Sequence, residues 1–118
     1  MSLSSTGTIG EQYAVHYLSK LGYTILERNF RIRLGELDII AKKGNTIYFC
    51  EVKTRIGDMH GKPYEAVTYR KMIHIKRVAT AYILQKAAKN SKLSIQVISI
   101  ILFPDKSIRE IKMYEVDY

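Results

Sequence analysis

The sequence predicts an α/β fold, a mixed β-sheet flanked by helices, and three observations carry that prediction. Two apolar runs between Gly35 and Arg55 are separated by Lys42-Lys43-Gly44-Asn45, and Gly-Asn is a favoured pair for a tight type II′ hairpin turn. Apolar residues recur at helical spacing on either side of that hairpin, from Ile9 to Leu21 and from Met72 to Ile83. A near-continuous β-branched run from Leu93 to Phe103 reads as an interior strand covered on both faces. All 118 residues fit one domain.

In chain order, Ile9, Tyr13, Ala14, Tyr17, Leu18 and Leu21 form the apolar stripe of a first helix, and Gly22 follows where a left-handed cap belongs. Thr8-Ile9-Gly10-Glu11 fits a capping box, which gives Glu11 a structural explanation. Tyr23 to Arg33 reads as an edge strand with Ile25, Glu27, Asn29 and Arg31 on one side and Leu26, Arg28, Phe30 and Ile32 on the other. Its arginines 28, 31 and 33 either clamp phosphates or sit as solvated edge charges that deter aggregation.

The hairpin is the organising element. With Gly44 and Asn45 as the loop, Lys43 faces Thr46, Asp38 stands opposite Glu51, and Glu36 stands opposite Lys53. Period-two alternation places all four charges on one face, beside Ile40, Ile47 and Phe49, with Leu37, Ile39, Ala41, Tyr48, Cys50 and Val52 on the other. Both faces are apolar, so both are covered, and carboxylates in such a sheet need compensation. Either Lys53 neutralises them in a structural ion pair, or they hold a divalent cation, since Mg²⁺ takes hard oxygen ligands from carboxylates, water and substrate phosphates.

Beyond the hairpin, Ile56 to Lys62 is polar and reads as a mobile loop leaving the acidic cluster. Thr68 caps a long helix with the stripe Met72, Ile75, Val78, Ala79, Tyr82, Ile83 and Lys86, ending near Asn90; its other face carries Arg70, Lys71, His74, Lys76 and Arg77. That basic face is either solvated surface or a phosphate contact. Pro104-Asp105-Lys106 makes a turn, Ser107 to Met113 a last strand, and Tyr114 to Tyr118 an acidic tail ordered only in part.

Lys and Arg number 19 against 11 Asp and Glu, a net charge of +8, which points to an acidic partner such as nucleic acid. Nine tyrosines would either stack on bases or line the core margin. The single Cys50 reads as a core residue, and no His or Cys stands at zinc-ligand spacing. No apolar run spans a bilayer, and the first ten residues lack the regions of a secretory signal, so a soluble cytoplasmic protein is expected.

Glu11 on a helix, Asp38 on a strand, Glu51-Val52-Lys53 on the next, then a helix and a strand: this resembles the PD-(D/E)XK nuclease superfamily, especially its archaeal Holliday-junction resolvase branch. The resemblance is closest to the YraN family of small bacterial proteins, through Gly10-Glu11, Asn29-Phe30-Arg31, Gly35 to Ile40, Glu51 to Arg55, Gly61, Pro63, Glu65-Ala66-Val67 and Lys71. Leu37 stands where the superfamily's name has Pro, and Gln96 where the later strand's pattern has Asp.

The resemblance implies a restriction-endonuclease-like fold and a metal-dependent endonuclease that hydrolyses phosphodiester bonds, selective for branched or junction DNA. It implies that Asp38, Glu51 and the Val52 carbonyl ligate Mg²⁺ or Mn²⁺, that Lys53 orients the attacking water, and that Glu11 completes the site, with Glu36 as an extra. Arg31, Arg55, Lys62 and Lys71 would approach the DNA backbone, and the resolvase branch points to a homodimer. Two other readings stay open: a non-catalytic nucleic-acid-binding or adaptor protein that keeps the fold, and a protein-interaction module whose charge is incidental.

Overall fold

The expected order of elements is the order found. A computed structural model of the chain describes residues 5–59, 61–86, 88 and 90–116. They form α1 (Thr6–Lys20), β1 (Thr24–Ile32), β2 (Gly35–Lys43), β3 (Thr46–Ile56), a 3-10 turn (Pro63–Ala66), α2 (Tyr69–Gln85), β4 (Lys92–Leu102) and β5 (Ile108–Glu115). The strands make one sheet in the order β1-β2-β3-β4-β5. Neighbours run antiparallel except β3 and β4, which are parallel over their whole length. A parallel pair needs a crossover, and α2 supplies it.

The two helices cover opposite faces. Leu37, Ile40, Ile47, Phe49 and Ile95 pack with Met72, Ile75, Val78, Ala79 and Tyr82 of α2. Ile39, Ala41, Cys50, Val52, Ile98, Ile100 and Leu102 pack with Ala14 and Leu18 of α1. Strand β4 is buried from Ser94 to its end, as its β-branched run predicts.

The hairpin register is the predicted one: Lys43 pairs with Thr46 and Ile39 with Cys50. Gly44 takes φ +61°, the conformation that a type II′ turn requires of its first central residue. Above Ile39 and Cys50 the ladder stops, and the Val52 N–H donates to Asp38 Oδ2 at 2.7 Å instead.

This break revises the predicted faces. Leu37 lies on the α2 side with Ile40, although Ile39 and Ala41 lie on the α1 side. On β1, between the Arg28–Ile39 and Phe30–Leu37 pairs, Asn29 has φ +51°, and the register also shifts between Ile25 and Glu27. Two adjacent strands therefore bend together at Asn29 and Asp38, and strict alternation fails there for both. Asn is one of the few residues that tolerates a left-handed backbone. The two irregularities of β1 offset each other, so Phe30 and Ile32 pack on the α2 side and Ile25 on the α1 side, as its predicted faces have them.

Helix α1 begins earlier than the capping box predicts. Ser5 is the N-cap and its Oγ accepts the Thr8 N–H at 3.1 Å, so Glu11 is an interior helical residue without a capping role. The helix closes as expected, with Gly22 at φ +92° and the Tyr23 and Gly22 N–H groups donating to the carbonyls of Leu18 and Ser19, a double bond pattern that satisfies the last turn. Ser5→Ala should cost about 1 kcal/mol of stability in denaturant unfolding, the usual loss for an N-cap hydroxyl.

Thr68 caps α2 as predicted, accepting the Lys71 N–H at 3.2 Å. The helix ends at Gln85 rather than near Asn90, and Lys86 is an exposed cap outside the buried stripe, its ammonium over the Tyr82 ring. The segment expected to be a mobile loop is tied down in its described part: the Gly57 N–H donates to Leu102, and Asp58 pairs with Lys62 at 3.1 Å and Arg109 at 3.4 Å. His60 of that segment lies outside the described residues. Tyr114 and Glu115 extend β5 and the Val116 N–H donates to Ile95, so the expected loose tail is sheet up to that point; Asp117 and Tyr118 lie outside the described residues.

Candidate active site

Where β2 splays from β3 the sheet opens into a polar cavity of about 310 Å³. Glu11, Glu36, Asp38, Glu51, Val52 and Lys53 line it, together with Lys71 and the Ser5, Gly7 and Thr8 positions of the first turn of α1. Each acid arrives for a different reason. Strand alternation puts Glu51 and Lys53 on the α2 side beyond Phe49. The bend at Asp38 turns its carboxylate sideways toward β3, where it takes the Val52 N–H.

Glu11 comes from the opposite layer, and a glycine lets it come so close. A Cβ on Gly10 would fall on Thr54 Oγ1 and within 2.8 Å of Thr54 Cβ, so α1 rests directly on β3 at this residue. The Thr54 hydroxyl oxygen is buried there with no hydrogen-bond partner among the described residues.

The site is short of positive charge around Asp38 and has it in surplus around Glu51. Burial first, and then the neighbouring Glu51 and Glu11 carboxylates, push the Asp38 carboxyl from 3.8 up to about 7, against the opposing Val52 hydrogen bond. Burial likewise raises Glu11, whose carboxyl reaches that of Asp38. Glu51, with only 8 % of its side chain exposed, accepts both lysines on one oxygen: Lys71 Nζ at 2.6 Å and Lys53 Nζ at 3.4 Å. Burial and the adjacent Lys71 ammonium lower Lys53, whereas for Lys71 burial is overcome by Glu51, Lys53 and Asp38 acting together, which raise it.

Carboxylate oxygens are the donors that a hard divalent cation takes, and of the acids here Glu51 is buried, Asp38 and Glu11 are half-buried and Glu36 is exposed. Among the described residues no group of three or more His, Cys, Asp or Glu side chains stands close enough to hold a metal ion, and Glu51 is turned to Lys71.

The remaining predicted residues fall in different places. Glu36 is at the mouth, its carboxylate paired with Arg31 at 2.7 Å on an exposed surface. Arg55 is exposed on β3 two residues past Lys53. Lys62 is paired with Asp58, away from the cavity. Gln96 is not in the cavity: it is buried beside Cys50, its amide donating to Ser94 Oγ at 2.7 Å, which in turn donates to Glu115. Cys50 is a core residue whose thiol burial pushes up to about 12.

Lys71 was expected at a DNA backbone and is instead drawn inward to Glu51. A second cavity of about 320 Å³ shares Glu36 and Lys71 with the first and adds Gly35, Thr68, Arg70, His74 and Ile75. Arg70 and His74, both on the basic helix face that the sequence predicts, thus continue the acidic cavity as a groove beside Lys71. The first-turn positions Ser5, Gly7 and Thr8 are the other additions. They follow from a helix start three residues earlier than the capping box suggests.

Residues 10–100 match the family described as "Uncharacterised protein family UPF0102". The chain belongs to the UPF0102 family. UPF0102 is thus the YraN-like family that the motifs resemble, and the matched span holds Glu11, Asp38, Glu51, Lys53 and Lys71. A UPF0102 protein of Caldicellulosiruptor saccharolyticus is 44% identical over 113 residues, covering 96% of each chain. Another, from Clostridium botulinum strain Loch Maree, is 50% identical over 97 residues, covering 81% of this chain and 79% of its own. A third, from Clostridium acetobutylicum, is 48% identical over 109 residues, covering 92% and 89%. Among solved structures, a chain described as "Structure of EndoMS-dsDNA2 complex" is similar with a TM-score of 0.41 and 17% identity, over 86% of this chain and 38% of that one. Among the described residues no helix is long and apolar enough to cross a membrane.

Proposed function

We propose that this UPF0102 protein is a divalent-metal-dependent endonuclease that hydrolyses phosphodiester bonds in branched or junction DNA, acting in the cytoplasm. The observation that carries this reading is the convergence of Glu11, Asp38, Glu51 and Lys53 on one polar cavity, where burial and the neighbouring Glu51 carboxylate push Asp38 up to about 7. Asp38 and Glu51, with the Val52 carbonyl, would hold Mg²⁺ or Mn²⁺, and Glu11 would complete the set. The cation, once bound, supplies Lewis acidity toward the phosphate and toward a water nucleophile.

The chain's own groups do the rest. The Val52 N–H and the bend at Asp38 hold that carboxylate in place before any substrate arrives. Lys53, partly buried at the cavity, orients the nucleophile and stabilises charge on the phosphate. Arg70 and His74 in the adjoining groove, with Arg31 and Arg55, would track the backbone and set register without reading bases.

One observation favours a second reading, a DNA-binding adaptor without catalysis. Glu51 is already neutralised by two lysines. A panel of four-way junctions, flaps and linear duplexes incubated with Mn²⁺ separates the two. The nuclease reading expects cleavage that requires metal and that Lys53→Ala removes, with DNA affinity falling steeply as salt rises. Retained salt-sensitive binding without cleavage of any substrate would make the adaptor reading correct.

A further inference from the structure

We propose that Lys71 is a resident counter-ion which holds Glu51 in the metal-free protein and surrenders it when a divalent cation enters, its ammonium then turning into the adjoining basic groove. The inference rests on the proposed metal role of Asp38 and Glu51.

Glu51 is too buried to stand unpaired, since an isolated charge in such a place loses its hydration. In this structure Lys71 meets it at 2.6 Å and Lys53 at 3.4 Å, both on the same oxygen. Two ammonium groups on one oxygen repel each other, and the shorter contact makes Lys71 the main counter-ion of Glu51. Lys71 has the means to leave: 37 % of its side chain is exposed, against 28 % for Lys53.

Its backbone does not have to move. The Lys71 N–H is held by the Thr68 cap in the first turn of α2. From that fixed point the long side chain borders both cavities, the acidic one with Glu51 and the neighbouring one with Glu36 and His74. A divalent cation attracts a carboxylate more strongly than an ammonium at similar range. Exchange would free Glu51 as a ligand and leave Lys71 beside the mouth, where a phosphate would approach.

Mn²⁺ binding to the full chain, read from the electron paramagnetic resonance signal of free Mn²⁺, tests this without any activity assay. Lys71→Met should lower the metal-free melting temperature and tighten Mn²⁺ roughly five- to tenfold, the usual size of coupling between competing ligands. Lys71→Arg keeps the charge and adds a bidentate grip, so it should weaken Mn²⁺ relative to wild type, and it remains informative if the methionine variant fails to fold. Wild-type Mn²⁺ affinity in the variants would overturn the exchange while leaving the metal site standing. Absence of Mn²⁺ binding in all three proteins would overturn the metal reading and the exchange together.

Discussion

Asp38→Asn is expected to make the metal-free protein more stable at pH 8, not less. The folded-state carboxyl titrates at about 7 instead of 3.8. Between those values the folded chain holds a proton that the unfolded chain has released, so stability falls as pH rises through this window and the loss is complete above it. The full loss corresponds to roughly 4 kcal/mol, an upper limit because Asp38 is not wholly enclosed. Asparagine keeps an oxygen for the Val52 N–H and carries no charge. Urea unfolding at pH 5 and pH 8 should therefore show the wild type losing stability with pH where the variant loses much less. In return, the variant should lose Mn²⁺-dependent cleavage. A variant equally or less stable at pH 8 would mean that Asp38 is already compensated by something else.

The second large effect is expected at Gly10. A valine there brings carbon atoms onto Thr54, and neither element can yield easily: α1 buries Ala14 and Leu18, and β3 lies in the middle of the sheet. Overpacking of this kind costs roughly 3 kcal/mol. Because α1 must lift, Glu11 moves with it. Gly10→Ala is the milder form, in which better helix propensity offsets part of the clash. Combining it with Thr54→Gly removes the three atoms nearest the new methyl, so a double-mutant cycle should give a favourable coupling of about 1 kcal/mol or more. Additive effects would show that the helix does not rest on Thr54.

The parts of this molecule that sequence reasoning found and missed divide along physical lines. Gly44-Asn45 determines the hairpin count as far as Ile39 and Cys50, because a tight turn leaves no freedom of register; the predicted Asp38–Glu51 and Glu36–Lys53 pairs lie beyond the last rung, and Asp38 reaches the cavity through its bend. The bend at Asn29 and Asp38 was out of reach. Period-two alternation assumes an unbroken strand, and so it placed Leu37 on the wrong face.

Thr8 and Glu11 spell a capping box, while Ser5 offers an equally good cap one turn earlier and is the one used. Lys71 could be placed on a helix face but not on Glu51, since a helical wheel does not show how far a long side chain reaches inward. Gln96 was expected near the site by analogy. In the fold it faces Ser94 and is absent from the cavity lining.

Mn²⁺ soaked into crystals of the wild-type protein, located by its anomalous scattering, measures the central claim at its source. The account predicts a peak in the cavity between the carboxyl groups of Asp38 and Glu51, with Lys71 turned away from Glu51. A fully occupied Mn²⁺ elsewhere, or saturating Mn²⁺ with Glu51 still bound to both lysines and no peak beside Asp38, would contradict it.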